Sequence, residues 1–166
     1  MLKTKPKKIL LNFIIILSIF LADRLSKIYI LRIAELENSV DIYLNSYLNL
    51  YLIWNKGIAF GLLNFDDSFI YNIISLIISM VTIIVFIMLI RAKDYEIYAL
   101  LCIFGGSVGN LFDRIYYSAV PDFIDLHINN FHWFIFNVAD IFISFGVICL
   151  ILVELIFDKY LINENK

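Results

Sequence analysis

The chain has 166 residues, of which 62% are hydrophobic and 17% are charged, with a formal net charge of −2 and a mean hydropathy of +0.88. Soluble domains are typically about 45–50% apolar and about 25% charged, so this composition excludes a soluble fold. The slight negative charge gives no reason to expect a nucleic-acid partner. The length suits a single integral membrane domain, residues 1–166, with about four spanning helices.

The first predicted element is a hydrophobic helix at roughly residues 9–32, which follows a lysine-rich start. This arrangement is similar to a secretory signal, which needs small residues at positions −1 and −3 of its cleavage site. Ala22 suits position −1, but Phe20 at position −3 is too large, and the apolar run resumes beyond it. We therefore predict an uncleaved first spanning helix.

Asp23 and Lys27 lie four residues apart in this helix, so they share a face and can pair. Two interpretations stay open for the pair. It either docks the first helix against the bundle or lines a site, because charges inside a membrane usually have a function. Arg24 projects from a neighbouring face and is predicted to extend to the membrane interface.

The segment at roughly 33–68 is predicted to form several short β-strands on the membrane surface. Its residues from Ile42 to Trp54 are rich in Tyr, Leu and Ile, a composition that favours strands and suits the membrane interface. An amphipathic loop on the headgroups is the alternative. Asn55 and Gly57 end this segment, where glycine permits a close approach of the backbone to a ligand, although Asn-x-Gly is also a common turn.

Two further spanning helices are predicted at roughly 69–90 and 97–116. The third helix contains Gly105 and Gly109, and this spacing lets membrane helices pack closely. Its last turns carry three polar residues, which form either an ordinary helix end at the interface or a scaffold around a site. These residues are Asn110, Asp113 and Arg114, with Arg114 expected to pair with Asp113.

Two aspartates in apolar surroundings, Asp122 and Asp140, are the strongest candidates for chemistry. Pro121 restricts the backbone just before Asp122, so the loop at roughly 117–134 is expected to present that carboxylate rigidly. Asp140 follows Asn137 by three residues at the start of a fourth helix, roughly 135–157, where it could simply stabilise the helix N-terminus. Two carboxylates that share one proton can add water to an amide bond.

The remaining polar residues predict neither a metal site nor a serine peptidase. His127 and His132 do not match the spacing of helical zinc motifs, and Asp125 is predicted to be solvated without a partner. The serines of the chain have no histidine placed to activate them. We therefore expect no metal and no cofactor.

The distribution of lysine and arginine predicts the orientation of the chain in the membrane. These residues concentrate in the N-terminal tail, in the link at residues 91–94 and in the C-terminal tail. Both termini are therefore predicted to face the cytoplasm, which places residues 33–68 and 117–134 outside.

Five sequence motifs, taken together and in this order, resemble lipoprotein signal peptidase, also called signal peptidase II, of bacterial inner membranes. The motifs are Asp23-x-x-Ser26-Lys27, Asn55-x-Gly57-x-Ala59-Phe60, Gly105-Gly106-x-x-Gly109-Asn110-x-x-Asp113-Arg114, Val120-x-Asp122-Phe123 and Phe136-Asn137-x-Ala139-Asp140. They extend from the first to the fourth predicted helix, and no motif position departs from the pattern of the family.

The resemblance implies an all-α membrane aspartyl peptidase with four transmembrane helices and a small β-rich extracytoplasmic cradle between helices 1 and 2. It implies removal of signal peptides from diacylglyceryl-modified prolipoproteins before the lipidated cysteine, contact with membrane lipids, and binding of globomycin-type inhibitors. By motif position, Asp122 and Asp140 match the catalytic residues. The substrate-binding or supporting positions are matched by Asp23, Lys27, Asn55, Gly57, Asn110, Asp113, Arg114 and Asn137.

Two functions of other classes stay open on the residues alone. A small polytopic transporter or ion-relay subunit could use the intramembrane carboxylates, although the sequence shows no pair of broken helices and no repeat. A membrane scaffold without catalysis would leave the intramembrane polar residues without a function. Cleavage of a lipid-modified precursor by the purified protein separates all three.

Overall fold

The computed structural model describes residues 6–57, 68–92, 96–129 and 131–164, which contain four α-helices and four β-strands. The helices are α1 (Pro6–Glu37), α2 (Ser68–Arg91), α3 (Ile97–Tyr117) and α4 (Val138–Glu164). The strands are β1 (Asp41–Asn45), β2 (Leu48–Asn55), β3 (Val120–Ile128) and β4 (Phe131–Phe136). All four predicted helices are therefore present. The first lysines of the chain and part of the predicted link at residues 91–94 lie outside the described residues.

Three helices, α1, α2 and α4, are long and apolar enough to cross a membrane. Large apolar side chains are exposed along all three, as at Leu25 and Ile83, and lipid is the environment in which such surfaces are stable. Within the described residues, α3 does not meet the same criterion, because polar residues occupy its last turns. It is instead the enclosed helix, packed against the other three. The structure thus shows a helical membrane protein with three clear candidate spans.

Left-handed residues end two helices and form one turn. Asn38 follows α1 with φ 61°, Ser118 ends α3 with φ 56°, and Asn129 lies between β3 and β4 with φ 53°. Asparagine tolerates this conformation better than most residues. A left-handed residue interrupts the helical hydrogen-bond pattern, so the chain leaves α1 and α3 and enters the strands directly.

The strands form one antiparallel sheet in the order β1-β2-β3-β4. The short strands predicted in residues 33–68 are confirmed, but the sheet is not confined to the segment between helices 1 and 2. The expected loop at residues 117–134 forms β3 and β4, and α4 starts at Val138 because β4 extends to Phe136. Pairing of β2 with β3 joins the strands before α2 and those after α3 into one layer beside the helices.

Pro121 lies near the start of β3, where its missing N–H group is tolerated. β2 pairs with β3 from Val120 onward, but β4 pairs with β3 only from Ile124 onward. The side of β3 away from β2 therefore has no strand partner at Pro121 within the described residues, as in an edge strand. The proline fixes the start of the strand and leaves Asp122 paired with Ile53 of β2.

Glycines set the distance between α3 and its neighbours. A Cβ atom at Gly109 would lie 2.8 Å from Asp23 Oδ2, and one at Gly106 would lie 2.5 Å from the backbone oxygen of Ala139. Neither position has room for a side chain, so the glycines allow α1 and α4 to approach α3 beside the polar residues. At Gly105 a Cβ atom would lie 3.1 Å from Ile19 Cβ of α1, so the close packing predicted for Gly105 and Gly109 is confirmed.

Candidate active site

Asp122 and Asp140, called the aspartate pair below, meet where β3 lies beside the start of α4. Asp122 is 0% exposed, and Asp140 is also buried. Asn137 connects them, because its Nδ2 donates to Asp122 Oδ1 at 2.6 Å and its backbone N–H donates to Asp140 Oδ2 at 3.3 Å. The structure therefore brings the two predicted carboxylates to one place.

Two reciprocal hydrogen bonds hold Asp140 at the N-terminus of α4. Asn137 Oδ1 accepts a bond from the backbone N–H of Asp140 at 3.1 Å, while Asp140 Oδ2 accepts one from the backbone N–H of Asn137. This arrangement is a capping box. Asn110 Nδ2 donates to the other oxygen, Asp140 Oδ1, at 2.8 Å. Asp140 thus stabilises the helix terminus, as considered from the sequence, and the same bonds fix its carboxylate near Asp122.

Asp122 accepts an amide hydrogen bond on each of its oxygens. Asn55 Nδ2 donates to Oδ2 at 2.8 Å, and Asn137 Nδ2 donates to Oδ1. Burial is the main cause that raises the pKa of Asp122 to about 7, the charge of Asp140 raises it further, and the two amide bonds lower it. A carboxyl group with a pKa near 7 exchanges its proton readily at neutral pH.

Asn55 uses both ends of its side-chain amide. Its Oδ1 accepts a bond from the backbone N–H of Gly57 at 2.8 Å, which forms a turn, while its Nδ2 binds Asp122. The turn considered from the sequence is therefore present, and the same asparagine also contacts the aspartate pair. Arg114 Nη2 donates to the backbone oxygen of Gly57 at 2.7 Å, which ties α3 to this turn. The rest of the predicted motif, residues 58–60, lies outside the described residues.

A group of four charged residues, called the α1–α3 charge cluster below, joins the two helices and consists of Asp23, Arg24, Lys27 and Asp113. Lys27 Nζ donates to Asp23 Oδ2 at 2.8 Å and to Asp113 Oδ2 at 2.6 Å, and Arg24 Nη1 donates to Asp113 Oδ1. The predicted pair of Asp23 and Lys27 is thus confirmed. Two carboxylates and two cations neutralise one another in this cluster.

Two arginines have partners that differ from the sequence prediction. Arg24 does not extend to the interface, because its side chain is 11% exposed and its guanidinium lies over the ring of Phe112, with Cζ 5.0 Å from the centroid. Arg114 was expected to pair with Asp113 but donates to the backbone oxygen of Gly57 instead. Adjacent residues of a helix face different directions. The sequence prediction did not include Arg24 among the residues near the site. A third charged residue in the apolar helix α1, beside Asp23 and Lys27, could have indicated it.

Asp125 also differs from its prediction as a solvated carboxylate, because it is 2% exposed. His132 Nδ1 on β4 lies 2.8 Å from Asp125 Oδ2. The ring of His127 stacks on that of His132 with 5.2 Å between their centroids. Pairing of β3 with β4 creates these contacts, which a loop prediction does not include.

An open cavity of about 580 Å³ lies between the C-terminal part of α1 and strand β2. Its lining includes Leu31, Arg32, Leu52, Trp54 and Tyr117. The aspartate pair is not part of this lining, although Trp54 immediately precedes Asn55 on β2, whose amide binds Asp122. Its walls are mainly apolar, with the charged groups of Arg32 and Glu35 among them.

Known proteins similar to this chain include lipoprotein signal peptidases and a bacterial membrane enzyme of solved structure. The protein-family model described as signal peptidase (SPase) II matches residues 15–157. A lipoprotein signal peptidase of Pelagibacter ubique is 54% identical over 164 residues, which cover 99% of this chain and 99% of that protein. One from Anaplasma phagocytophilum is 35% identical over 152 residues, covering 90% of this chain and 94% of that protein. A solved bacterial membrane enzyme has a TM-score of 0.68 and 27% identity, covering 89% of this chain and 88% of that one.

Proposed function

This chain belongs to the signal peptidase II family of lipoprotein signal peptidases, and we propose that it cleaves its substrate as an aspartyl peptidase through Asp122 and Asp140. It is a membrane peptidase that removes the signal peptide from prolipoproteins, so the transporter and scaffold alternatives are not supported. The observation that carries the aspartyl mechanism is the contact of both buried carboxylates with Asn137.

The charges around the site support one shared proton on the aspartate pair. Taken together, the aspartate pair, the α1–α3 charge cluster and Arg114 contain four carboxylates and three cations that are buried or nearly buried, namely Asp23, Asp113, Asp122 and Asp140 with Arg24, Lys27 and Arg114. Four negative charges against three positive charges leave one excess negative charge, which is unfavourable in an apolar interior. Because the α1–α3 charge cluster is balanced internally, the neutralising proton belongs to the aspartate pair.

A carboxylate pair with one proton supplies both groups that amide hydrolysis needs. The ionised carboxylate accepts a proton from a water molecule as that water attacks the scissile carbonyl carbon, and the protonated carboxyl donates its proton to the carbonyl oxygen. When the carbon–nitrogen bond breaks, the leaving amine takes up a proton, and the pair returns to its singly protonated state. Coupled carboxylates titrate together, so the acid and base roles belong to the pair.

The neighbouring polar residues are proposed to hold the pair in position without exchanging protons. Asn55, Asn110 and Asn137 donate amide hydrogen bonds to its oxygens, and Arg114 binds the backbone oxygen of Gly57. An amide group stays neutral over the physiological pH range. It therefore orients a carboxylate and leaves that carboxylate free to bind or release a proton.

The substrate is proposed to be a diacylglyceryl-modified prolipoprotein, cut before its lipidated cysteine. Acyl chains in the surrounding lipid would confine the precursor to the membrane plane and raise its effective concentration at the aspartate pair. The cavity beside β2, with Leu52 and Trp54 in its lining, is proposed to hold the extended signal peptide or a globomycin-type cyclic peptide inhibitor.

The aspartate pair is proposed to face the outer side of a bacterial inner membrane, with α3 as a fourth span. α3 has 21 residues, which correspond to about 31 Å at ~1.5 Å per residue and suffice for ~30 Å of hydrocarbon. Four spans place both termini on the same side, and the lysine-rich N-terminal tail favours the cytoplasm. Water then reaches the pair from the side of the sheet.

Cysteine labelling in intact cells tests this orientation. In a background with Cys102→Ser and Cys149→Ser, we expect a membrane-impermeant maleimide to label Asn129→Cys in the β3–β4 turn from outside. The matched position is Lys7→Cys at the start of α1, which should be labelled only after permeabilisation. The reverse pattern would reject the orientation.

The aspartyl mechanism is tested by asparagine substitution, which keeps the shape but removes the acid/base group. We expect Asp122→Asn and Asp140→Asn each to lower the cleavage rate of a purified diacylglyceryl-modified precursor by about 1,000-fold or more, since general acid–base catalysis contributes about 10²–10⁴-fold. The double variant should be no worse than either single variant, because the pair acts as a unit. Mass spectrometry of the products measures the rate.

Asp41→Asn, which changes an exposed carboxylate on β1, is the matched control and should cleave normally. Cleavage should also persist in excess chelator, because two carboxylates and water suffice. Near-normal turnover in either single variant, or loss of activity in chelator with rescue by zinc, would reject the aspartyl mechanism. Failure of the unmodified protein to cut the precursor would reject the function itself.

A further inference from the structure

β3 and β4 bring three side chains that can bind a metal together near their turn. Asp125 and His127 come from β3, and His132 comes from β4. One ligand atom from each residue lies within 4.8 Å of those of the other two. Strand pairing produces this arrangement, since His127 is opposite His132 in the register and Asp125 lies two residues before His127 on the same face of β3.

One buried ring nitrogen of this trio has no hydrogen-bond partner among the described residues. Asp125 Oδ2 lies 2.8 Å from His132 Nδ1 but 3.6 Å from His127 Nδ1, too far for a hydrogen bond. His127 is 9% exposed, and its buried Nδ1 makes no hydrogen bond within the described part of the chain. A buried polar atom without a partner is costly. The hydrogen bond between Asp125 and His132 therefore gives these two side chains a polar partner, but it leaves the buried Nδ1 of His127 without one.

We propose that Asp125, His127 and His132 bind one zinc ion. Two imidazole nitrogens and one carboxylate oxygen form a ligand set that zinc accepts, with water in the fourth position. The ion gives His127 Nδ1 its missing partner and replaces the hydrogen bond between Asp125 and His132 by two coordinate bonds, with the His132 proton on Nε2. His132 is 56% exposed, so zinc and its water reach the site from solvent.

This site is distinct from the aspartate pair. Asp122 and Asp125 are three residues apart on β3, which corresponds to about 10 Å at ~3.3 Å per residue, and the odd spacing directs their side chains to opposite faces of the strand. The zinc ion links β3 to β4 beside their turn and takes no part in peptide hydrolysis. Removing it with a chelator therefore leaves cleavage intact.

The test measures zinc binding to the purified full-length protein in detergent, with ZnCl₂ as the probe. After dialysis, elemental analysis should find one zinc ion per chain, and competition with a chromogenic chelator gives its affinity. His132→Gln should bind zinc at least about 10-fold more weakly, because loss of even an outer-shell partner lowers metal affinity about 10–100-fold. Because His132 is exposed, the fold should tolerate this substitution. The chain has two histidines in all, so the variant keeps His127 alone.

Asp41→Asn is the matched control, because it removes an exposed carboxylate of the same sheet and should bind zinc with unchanged affinity. Zinc should also raise the melting temperature of the unmodified protein and of Asp41→Asn but not that of His132→Gln, since a ligand stabilises the folded state that binds it. Absence of stoichiometric zinc in the unmodified protein, or unchanged affinity in His132→Gln, would overturn the proposal.

Discussion

The α1–α3 charge cluster and the aspartate pair lie side by side, yet they hold their carboxylates differently. In the cluster, cations contact carboxylates directly, as Lys27 does with Asp23 and Asp113. In the aspartate pair, each carboxylate accepts hydrogen bonds from asparagine amides. A direct cation favours the ionised state of a carboxylate. A neutral amide orients the carboxylate without supplying a full charge. The carboxylates of the cluster therefore stabilise the fold as ions, whereas those of the aspartate pair can bind and release a proton.

Asn110 is the residue that connects these two regions. Its Oδ1 accepts a bond from Lys27 Nζ at 3.1 Å, and its Nδ2 donates to Asp140 Oδ1 at 2.8 Å. The amide of Asn110 therefore links Lys27 of the cluster to Asp140 of the aspartate pair. This arrangement lets the cluster fix the position of Asp140 while the aspartate pair keeps its shared proton.

The largest stability effect in this comparison is expected for Lys27→Met. The substitution keeps an apolar stem but leaves the carboxylates of Asp23 and Asp113 with Arg24 as their remaining cation. Breaking a buried ion pair by removing one partner typically costs about 3–5 kcal/mol, so we expect a clear fall in the free energy of unfolding. Chemical or thermal unfolding of the purified protein in detergent measures it.

Lys7→Met is the control for this variant, because it removes an exposed lysine near the start of the same helix and should leave stability unchanged. Asp122→Asn should cost less stability than Lys27→Met, since it removes a carboxyl that the fold keeps partly protonated. Equal stability of Lys27→Met and the unmodified protein would show that the cluster does not stabilise the fold through its charges.

A smaller effect is expected for Asn55→Ala, and its signature is the pH profile. Cleavage by the unmodified protein should fall as the pH rises above about 7, because the aspartate pair then loses its shared proton and the pKa of Asp122 is about 7. The Asn55 hydrogen bond lowers that pKa, so its removal raises the pKa and moves the alkaline limb of kcat/KM to higher pH. A hydrogen bond to a charged group contributes about 1.5–3 kcal/mol, which predicts about 10-fold slower cleavage or more.

Asn49→Ala is the matched control, because Asn49 lies on the same strand and binds neither aspartate in the described structure. Its alkaline limb should coincide with that of the unmodified protein. An alkaline limb that stays in place in Asn55→Ala would show that the Asn55 amide does not control the protonation of the aspartate pair.

All four helices could be predicted from the sequence, whereas only two of the four strands of the sheet could be predicted from it. A long apolar run such as α2 satisfies its backbone in a membrane by forming a helix, so its limits are readable from composition. β1 and β2 were indicated by their Tyr-, Leu- and Ile-rich composition. β3 and β4 were not, because a strand depends on its neighbours more than on its own residues, and β3 pairs with β2 from a distant part of the chain.

Side-chain type and spacing by themselves determined the helical membrane character, the approximate helix limits and the two aspartates, because apolar length and residue chemistry are local properties. Only the tertiary structure decided which groups meet those aspartates, that Arg24 turns inward, and that Asp125 meets two histidines. The physical reason is that these contacts join distant residues. Asn55 and Asp122 are 67 positions apart, and the bond from the backbone N–H of Ala139 to Asp23 spans 116 positions. Helix packing and strand pairing, which depend on the whole chain, bring such residues together.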